Sequence, residues 1–459
     1  MDNKLFLSRI ARAIPFSIAN TMSFIPFFIY SAVIKIDVNN LSIIFPIVLY
    51  YAFYKTSVLI TKGIGNVNNA AKLSRISLAI GMIGCLIGMF GSVNTLFWDI
   101  SGILVGICSS IILPTYQTVN YHERKYNDSN LDIVDYLICV IFIVIMIASI
   151  ELTLSNFILY TFLILFICIF LAYITMDKLP HFPPKSNKSI FKMGTFSKQD
   201  LEVSIILLII VFSFRLAKQI GYADILIIAA ISFTALMLLI IWWKSKNSIQ
   251  IDLPSWFITM SIFNGMCSAF IFIYSIFYVI VMKNDNTLNS IYIAFAIGLV
   301  LAQFVRKSIY KVFNFLSPLS IDIVGMCLGT ALLLSNSTFD IGIGILSFFV
   351  SANSILLNHT IYNFEGILQD ERLITKYRIT TIGSIIQHGI LILSILIIPF
   401  LNQLEFDQIL LDYRFKAKDF YMVNSLFFTR VVCIIIILAF GIYILKSTHN
   451  KNIYEQDLK

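Results

Sequence analysis

The chain has 459 residues, of which 58% are apolar or aromatic and only 13% charged, and its net charge is +8. Soluble domains carry about 25% charged residues, so this composition excludes a water-soluble enzyme, a disordered chain and a collagen-like fibre. The apolar runs are continuous, which excludes the alternating strands of a membrane β-barrel and leaves an all-α polytopic membrane protein.

Apolar runs of helix length fall near residues 13–34, 41–61, 74–93, 97–119, 132–151, 155–175, 202–219, 223–243, 255–281, 287–306, 318–336, 339–363, 379–401 and 420–445. Fourteen transmembrane helices are therefore expected, each about 20 residues long. The first run lacks a small-residue cleavage site and is expected to be a retained span rather than a signal peptide. Residues 202–243 are too long for one helix and read as a tight hairpin of two, with Gly221 and Asp224 at the turn and Arg215 and Lys218 beside it. The segment 176–201 carries Pro180, Pro183, Pro184 and five lysines and reads as a solvated loop. The loop 402–419 is expected outside, where it is long enough to cover an opening.

Placing the N-terminus in the cytoplasm puts 24 Lys and Arg on the inside, Arg372, Lys376 and Arg378 among them, and seven outside, including Arg215. This asymmetry obeys the positive-inside rule and predicts both termini in the cytoplasm of a cell-membrane protein. The basic excess is assigned to membrane lipids rather than nucleic acid. The seven cysteines all lie in apolar runs with no CxxC pair. They read as small fillers of buried helix faces, not as disulfides or metal ligands.

One offset recurs along the chain. Ile14–Ser31 and Ile258–Ser275, 244 residues apart, are identical at nine of eighteen positions, including Asn20/Asn264, Met22/Met266 and Tyr30/Tyr274. The same offset pairs Asn40 with Asn284, Lys62 with Arg306, Gly81 with Gly325 and Met82 with Met326. It carries the first span onto the ninth. The expected plan is an N-terminal six-helix bundle (1–175), a basic cytoplasmic loop (176–201), an inserted helix pair (202–243), a C-terminal six-helix bundle (255–445) and a cytoplasmic tail (446–459). A 6+2+6 plan resembles the fourteen-span branch of the major facilitator superfamily, which includes drug:proton antiporters. The resemblance implies two bundles around a central cavity and transport by alternating access.

The motifs of that family are degenerate here. Its signature between the second and third spans corresponds to Gly63-Ile64-Gly65-Asn66-Val67-Asn68-Asn69-Ala70-Ala71-Lys72, which keeps the first Gly and a terminal Lys but lacks the acidic residue. The counterpart after the tenth span, Arg306–Lys311, keeps only basic character. The fifth span, Leu131–Leu152, has neither Gly nor Pro, so the antiporter signature is missing. The acid that drug antiporters of that branch carry in the first span is also missing, and Asn20 is the strongly polar group near the middle of that span.

Charged and strongly polar groups at membrane depth are the candidates for function. Arg430, placed near the middle of the last span, would bind an anionic substrate or tie two helices together. Lys55 lies where it can snorkel to the headgroups. His388, beside Gln387, and His359, beside Asn358, are candidate proton-coupling residues, with hydrogen-bonded packing as the alternative. Asn20, Asn264, Tyr30, Tyr274 and Gln117 complete the candidate substrate-binding set. For these, helix–helix hydrogen bonding is the competing role. The chain has no P-loop, no HExxH and no nucleophile elbow, so neither catalysis nor a cofactor is expected. The expected function is secondary active transport, with efflux favoured, of a small-molecule substrate. The alternatives are a flippase for a lipid or lipid-linked glycan, and a non-transporting assembly or immunity protein.

Overall fold

A computed structural model describes residues 3–34, 41–127, 133–154, 157–176, 189–220, 253–282, 285–401 and 420–449, with positions 228, 231–233 and 235 between them. Most of the second helix of the expected inserted pair, its turn at Gly221 and Asp224, the prolines of the 176–201 segment, the loop 402–419 and most of the tail lie outside the described residues.

Among the described residues fourteen α-helices follow one another. They are α1 (Asn3–Thr21), α2 (Ile25–Ile34), α3 (Phe45–Ile64), α4 (Ala70–Gly88), α5 (Thr95–Asn127), α6 (Ile133–Leu154) and α7 (Ile158–Met176). After them come α8 (Lys198–Ile220), α9 (Ser255–Met282), α10 (Asp285–Val312), α11 (Pro318–Leu332), α12 (Phe339–Tyr362), α13 (Arg372–Leu401) and α14 (Phe420–His449). This count of helices is not a count of spans. Among the described residues nine helices are long and apolar enough to cross a membrane, and α1 and α2 make a tenth if counted as one bent span. The chain is a multi-pass helical membrane protein.

Two compact units form. The first is Met1–Leu216 together with Ile367–Thr375, and the second is Ala217–Gly366 with Lys376–Lys459. In the first, α3 and α4 pack on α5, α4 packs on α7, and α1 packs on α7. In the second, α10 and α11 pack on α12, α11 packs on α14, and α9 packs on α14. The same pairings thus occur twice. The helices keep the sequence offset too: α3 advanced by 244 residues falls inside α10, and α5 starts 244 residues before α12.

Lipid is as apolar as the side chains, so close packing rather than apolar burial holds such helices together. Gly102 and Gly106, four apart on α5, show how. A Cβ on Gly102 would sit 2.5 Å from the Pro46 carbonyl oxygen, and one on Gly106 would sit 2.7 Å from that of Tyr50. Only glycine lets α5 lie this close to α3.

Two differences from the sequence expectation concern helix ends. The expected first span, 13–34, breaks at residues 21–25, where α1 and α2 meet at 49°. The span expected at 379 begins at Arg372, so Lys376 and Arg378 belong to a helix and are buried, not wetted in a loop. A charge-free window starts too late when the first turns of a helix carry cations that protein, rather than water, surrounds.

Candidate functional site

The break between α1 and α2 follows from one residue. In a continuous helix the Met22 carbonyl would accept from the N–H of residue 26, which is Pro26 and has none. The Tyr50 hydroxyl of α3 replaces it, donating to Met22 O at 3.1 Å and reaching Ser23 O at 3.4 Å. Irregular backbone at membrane depth is tolerated only where protein or water meets its polar groups. Asn20, half-buried at the end of α1, donates to Phe16 O of its own helix at 2.7 Å.

Aromatic rings and two cations surround this break. Tyr50 stacks on Tyr54, with centroids 5.9 Å apart. The Lys55 ammonium lies 5.1 Å from the Tyr54 ring centre and 5.8 Å from that of Tyr51. The Arg215 guanidinium of α8 lies 5.3 Å from Tyr51 and 5.2 Å from Phe27. Arg215 is 8% exposed. It was expected on the outer side beside a turn, and its guanidinium packs against rings of α2 and α3.

The second unit has its own polar interior at the junction of α9, α12 and α13. Asn264 of α9 donates to Val350 O of α12 at 2.8 Å. Its neighbour Gly265 lies so close to α13 that an added Cβ would meet the Thr380 backbone. One turn from Val350, Asn353 is 0% exposed and neither amide atom has a hydrogen-bond partner. Next to it, the Ser354 hydroxyl lies 2.6 Å from the Lys376 ammonium. Lys376 is 1% exposed and sits 4.3 Å from the Tyr377 ring centre. Gln387 and His388 are buried about three turns further along α13.

The remaining candidates are placed elsewhere. Arg430 is 2% exposed, but its Nη1 donates at 2.9 Å to Asn336, an exposed residue of the turn between α11 and α12. The rings of Phe427, Phe339 and Tyr278 surround its guanidinium at 5.0–5.9 Å. Arg430 therefore reaches toward a helix end rather than staying at mid-span. Tyr30 and Tyr274 are each buried within their own unit. The Tyr30 hydroxyl pairs with Ser101 at 2.7 Å, and that of Tyr274 reaches Leu426 O at 3.4 Å. Gln117 is half-buried on α5, and His359 is exposed near the end of α12.

The loop Gly63–Lys72 has no acid of its own and meets two from elsewhere in the chain. Ile367–Thr375, the end of the connection after α12 and the first turn of α13, belongs to the first unit. Its Glu371 accepts from the Val67 N–H at 2.6 Å. Its Asp370 accepts from the Ala70 N–H at 3.0 Å and pairs with His122 at 2.7 Å. Carboxylates thus sit at the positive end of α4, where a helix favours them. Asn69 caps the same helix through the Lys72 N–H at 2.9 Å. The segment after α7 adds backbone bonds, with Asn68 N–H donating to Ile190 O at 2.8 Å and Lys192 N–H to Asn66 O at 2.9 Å. Gly63 has a steric role: a Cβ there would lie 2.6 Å from the Leu201 backbone.

Sequence reasoning missed Asn353, Lys376, Arg215, Asp370 and Glu371 as functional candidates. Asn353 had a readable signal, an amide inside an apolar run. The acids had none, since their partners lie about 300 residues away.

No protein-family model matches the chain, and a search of curated proteins finds no match. Solved structures do share the fold. The chain aligns with an auto-inhibited peptide transporter of the POT family at a TM-score of 0.56 and 14% identity, over 95% of this chain and 96% of that one. A POT family transporter in complex with 5-aminolevulinic acid aligns at 0.54 and 14% identity, over 95% and 96%. The POT family transporter PepTSo aligns at 0.54 and 11% identity, over 96% and 98%. These neighbours are transporters, not enzymes.

Proposed function

We propose that this chain is a secondary active transporter of a small molecule, working by alternating access in the plasma membrane with both termini in the cytoplasm. The observation that carries the reading is a fold shared end to end with solved transporters, over 95% of the chain. A duplicated helix packing and a polar interior in each unit are what such a cycle uses. The fourteen-span 6+2+6 plan and kinship with the drug-antiporter branch stay part of this reading, with efflux as the direction. Asn264, Asn353 and Lys376 serve the solute in the second unit. Asn20, Gln117 and the ring cluster around Tyr51 serve it in the first. His388 beside Gln387 is the group that couples protons. The closed shells around Tyr30, Tyr274 and Arg430 favour roles in holding their helices.

The test is reconstitution into proteoliposomes with an imposed pH gradient, using a panel of labelled amino acids, peptides, organic acids and nucleosides. Protein-dependent, gradient-sensitive flux of at least one solute is expected. Monodisperse, helical protein that moves none of them refutes the reading. Lower accumulation of the solute in expressing cells would support efflux, and higher accumulation would reverse the direction.

A further inference from the structure

We infer that Lys376, Ser354 and Asn353 receive a carboxylate, and that the solute is therefore a small organic anion with one negative charge at this site. The inference rests on the transport reading for the identity of the anion as cargo. It rests on the junction of α9, α12 and α13 for its chemistry.

An ammonium carries three donors and no acceptor. Lys376, 1% exposed, has one hydroxyl at 2.6 Å and one ring face at 4.3 Å, and among the described residues no carboxylate pairs with it. Buried charges are normally paired, because desolvation otherwise goes uncompensated. Among the described residues the buried carboxylate of this unit, Asp322, is already engaged, with the Tyr310 hydroxyl 2.9 Å from both its oxygens. Asn353 adjoins Ser354 in sequence and is wholly buried with both amide atoms unpartnered. Native structures rarely leave such a group unmet without a purpose.

The packing gathers these groups. Asn264 is bonded one turn before Asn353, and Gly265 lies against Thr380, one turn after Lys376. The Lys376 ammonium and the Ser354 hydroxyl lie 2.6 Å apart, and the adjoining residue of α12, Asn353, carries an unpartnered buried amide, so the donors that a carboxylate's two oxygens accept stand in neighbouring positions. One positive charge matches one negative charge. A phosphate monoester, with about −1.5 to −2 at neutral pH, would be left undercompensated.

The full chain, purified in neutral detergent, is to be melted with acetate, lactate, benzoate, succinate, glycine and dialanine, each against its amide at matched ionic strength. At least one acid is expected to raise the midpoint while its amide does not. Lys376→Met is expected to abolish that shift and to raise the midpoint without ligand, because it removes an unpaired buried charge. Lys376→Arg keeps part of the shift, and Asn353→Ala weakens the acid about tenfold, the worth of one charge-assisted hydrogen bond. Lys198→Gln, which removes an exposed cation paired with Glu202 at 3.6 Å, leaves the shift intact. The inference is overturned if no acid shifts the wild type, if Lys376→Met keeps the shift, or if Lys376→Met lowers the ligand-free midpoint, as loss of a structural tie would. An acid that binds but is never carried into proteoliposomes removes the transport reading and leaves the site standing. Flux of neutral or cationic solutes with no acid bound does the reverse.

Discussion

Tyr50→Phe isolates one hydroxyl at the break in the first span. The ring that meets Tyr30 at 5.4 Å and stacks on Tyr54 is kept, and the donor to Met22 O is lost. A buried carbonyl left unmet costs about 1–3 kcal/mol. Interhelical hydrogen bonds in membrane proteins average about 0.6 and reach about 1.7 kcal/mol. The 3.1 Å bond joins a buried hydroxyl to a carbonyl whose helical donor is missing, so a loss of about 1–1.7 kcal/mol is expected, near the top of that range. The assay is equilibrium unfolding in mixed detergent micelles with increasing dodecyl sulfate, following helix content. Pro26→Ala supplies the second arm of the cycle, because it returns an N–H to the position that should serve Met22. In that background Tyr50→Phe is expected to cost little, giving a coupling energy of about 1 kcal/mol. An equal cost of Tyr50→Phe in the wild type and in the Pro26→Ala background would refute the assignment of Tyr50 as the stand-in for the missing proline donor.

Two further substitutions test the surroundings. Glu371→Gln keeps an acceptor but removes the charge at the start of α4, which is worth about 0.3–1 kcal/mol. Amide exchange at Val67 and Ala70 should speed up while the middle of α4 stays protected, and unchanged protection would show that the 2.6 Å bond contributes nothing. Arg430→Lys trades a planar fork for a point charge and weakens the contacts with three rings, each worth about 0.5–2 kcal/mol. The melting midpoint should fall while the acid-dependent shift is unchanged, and loss of that shift would return Arg430 to the solute site.

Nine of the described helices were legible because each is an apolar run of membrane length, and the offset of 244 was legible because identities cluster in Ile14–Ser31. What escaped depends on distance or on context. Pro26 stands in an apolar run, and hydropathy cannot see that its missing N–H bends the span by 49°. Lys376 looked like a wetted loop residue, since a cation next to Arg372 and Arg378 marks a membrane boundary in any window average. Its partner Ser354 lies on another helix, 22 positions away. Asn264 was found because the repeat flagged it. Asn353 went unnoticed because its counterpart at the same offset, Ser109, is not an amide.

The two halves differ where the backbone is stressed. Position 26 is proline, and its repeat partner, Phe270, is not. Position 50 is tyrosine, and its partner is Ala294, with no donor to offer. Correspondingly α9 runs unbroken from Ser255 to Met282, whereas its counterpart is split into α1 and α2. A breaker without a cap would strand a carbonyl in the bilayer core, and a cap without a breaker would have no carbonyl to serve. Their joint presence in one half and joint absence in the other is what a single local device requires. Phe270 instead stacks on Tyr274 at 5.2 Å, filling with ring contact the place where the first half bends. The helix packing is repeated in the two units while the backbone of the first helix is not: one is bent by 49° and the other is unbroken. The first unit therefore closes its break with a hydroxyl from α3, while the second keeps its first helix unbroken beside Asn353 and Lys376.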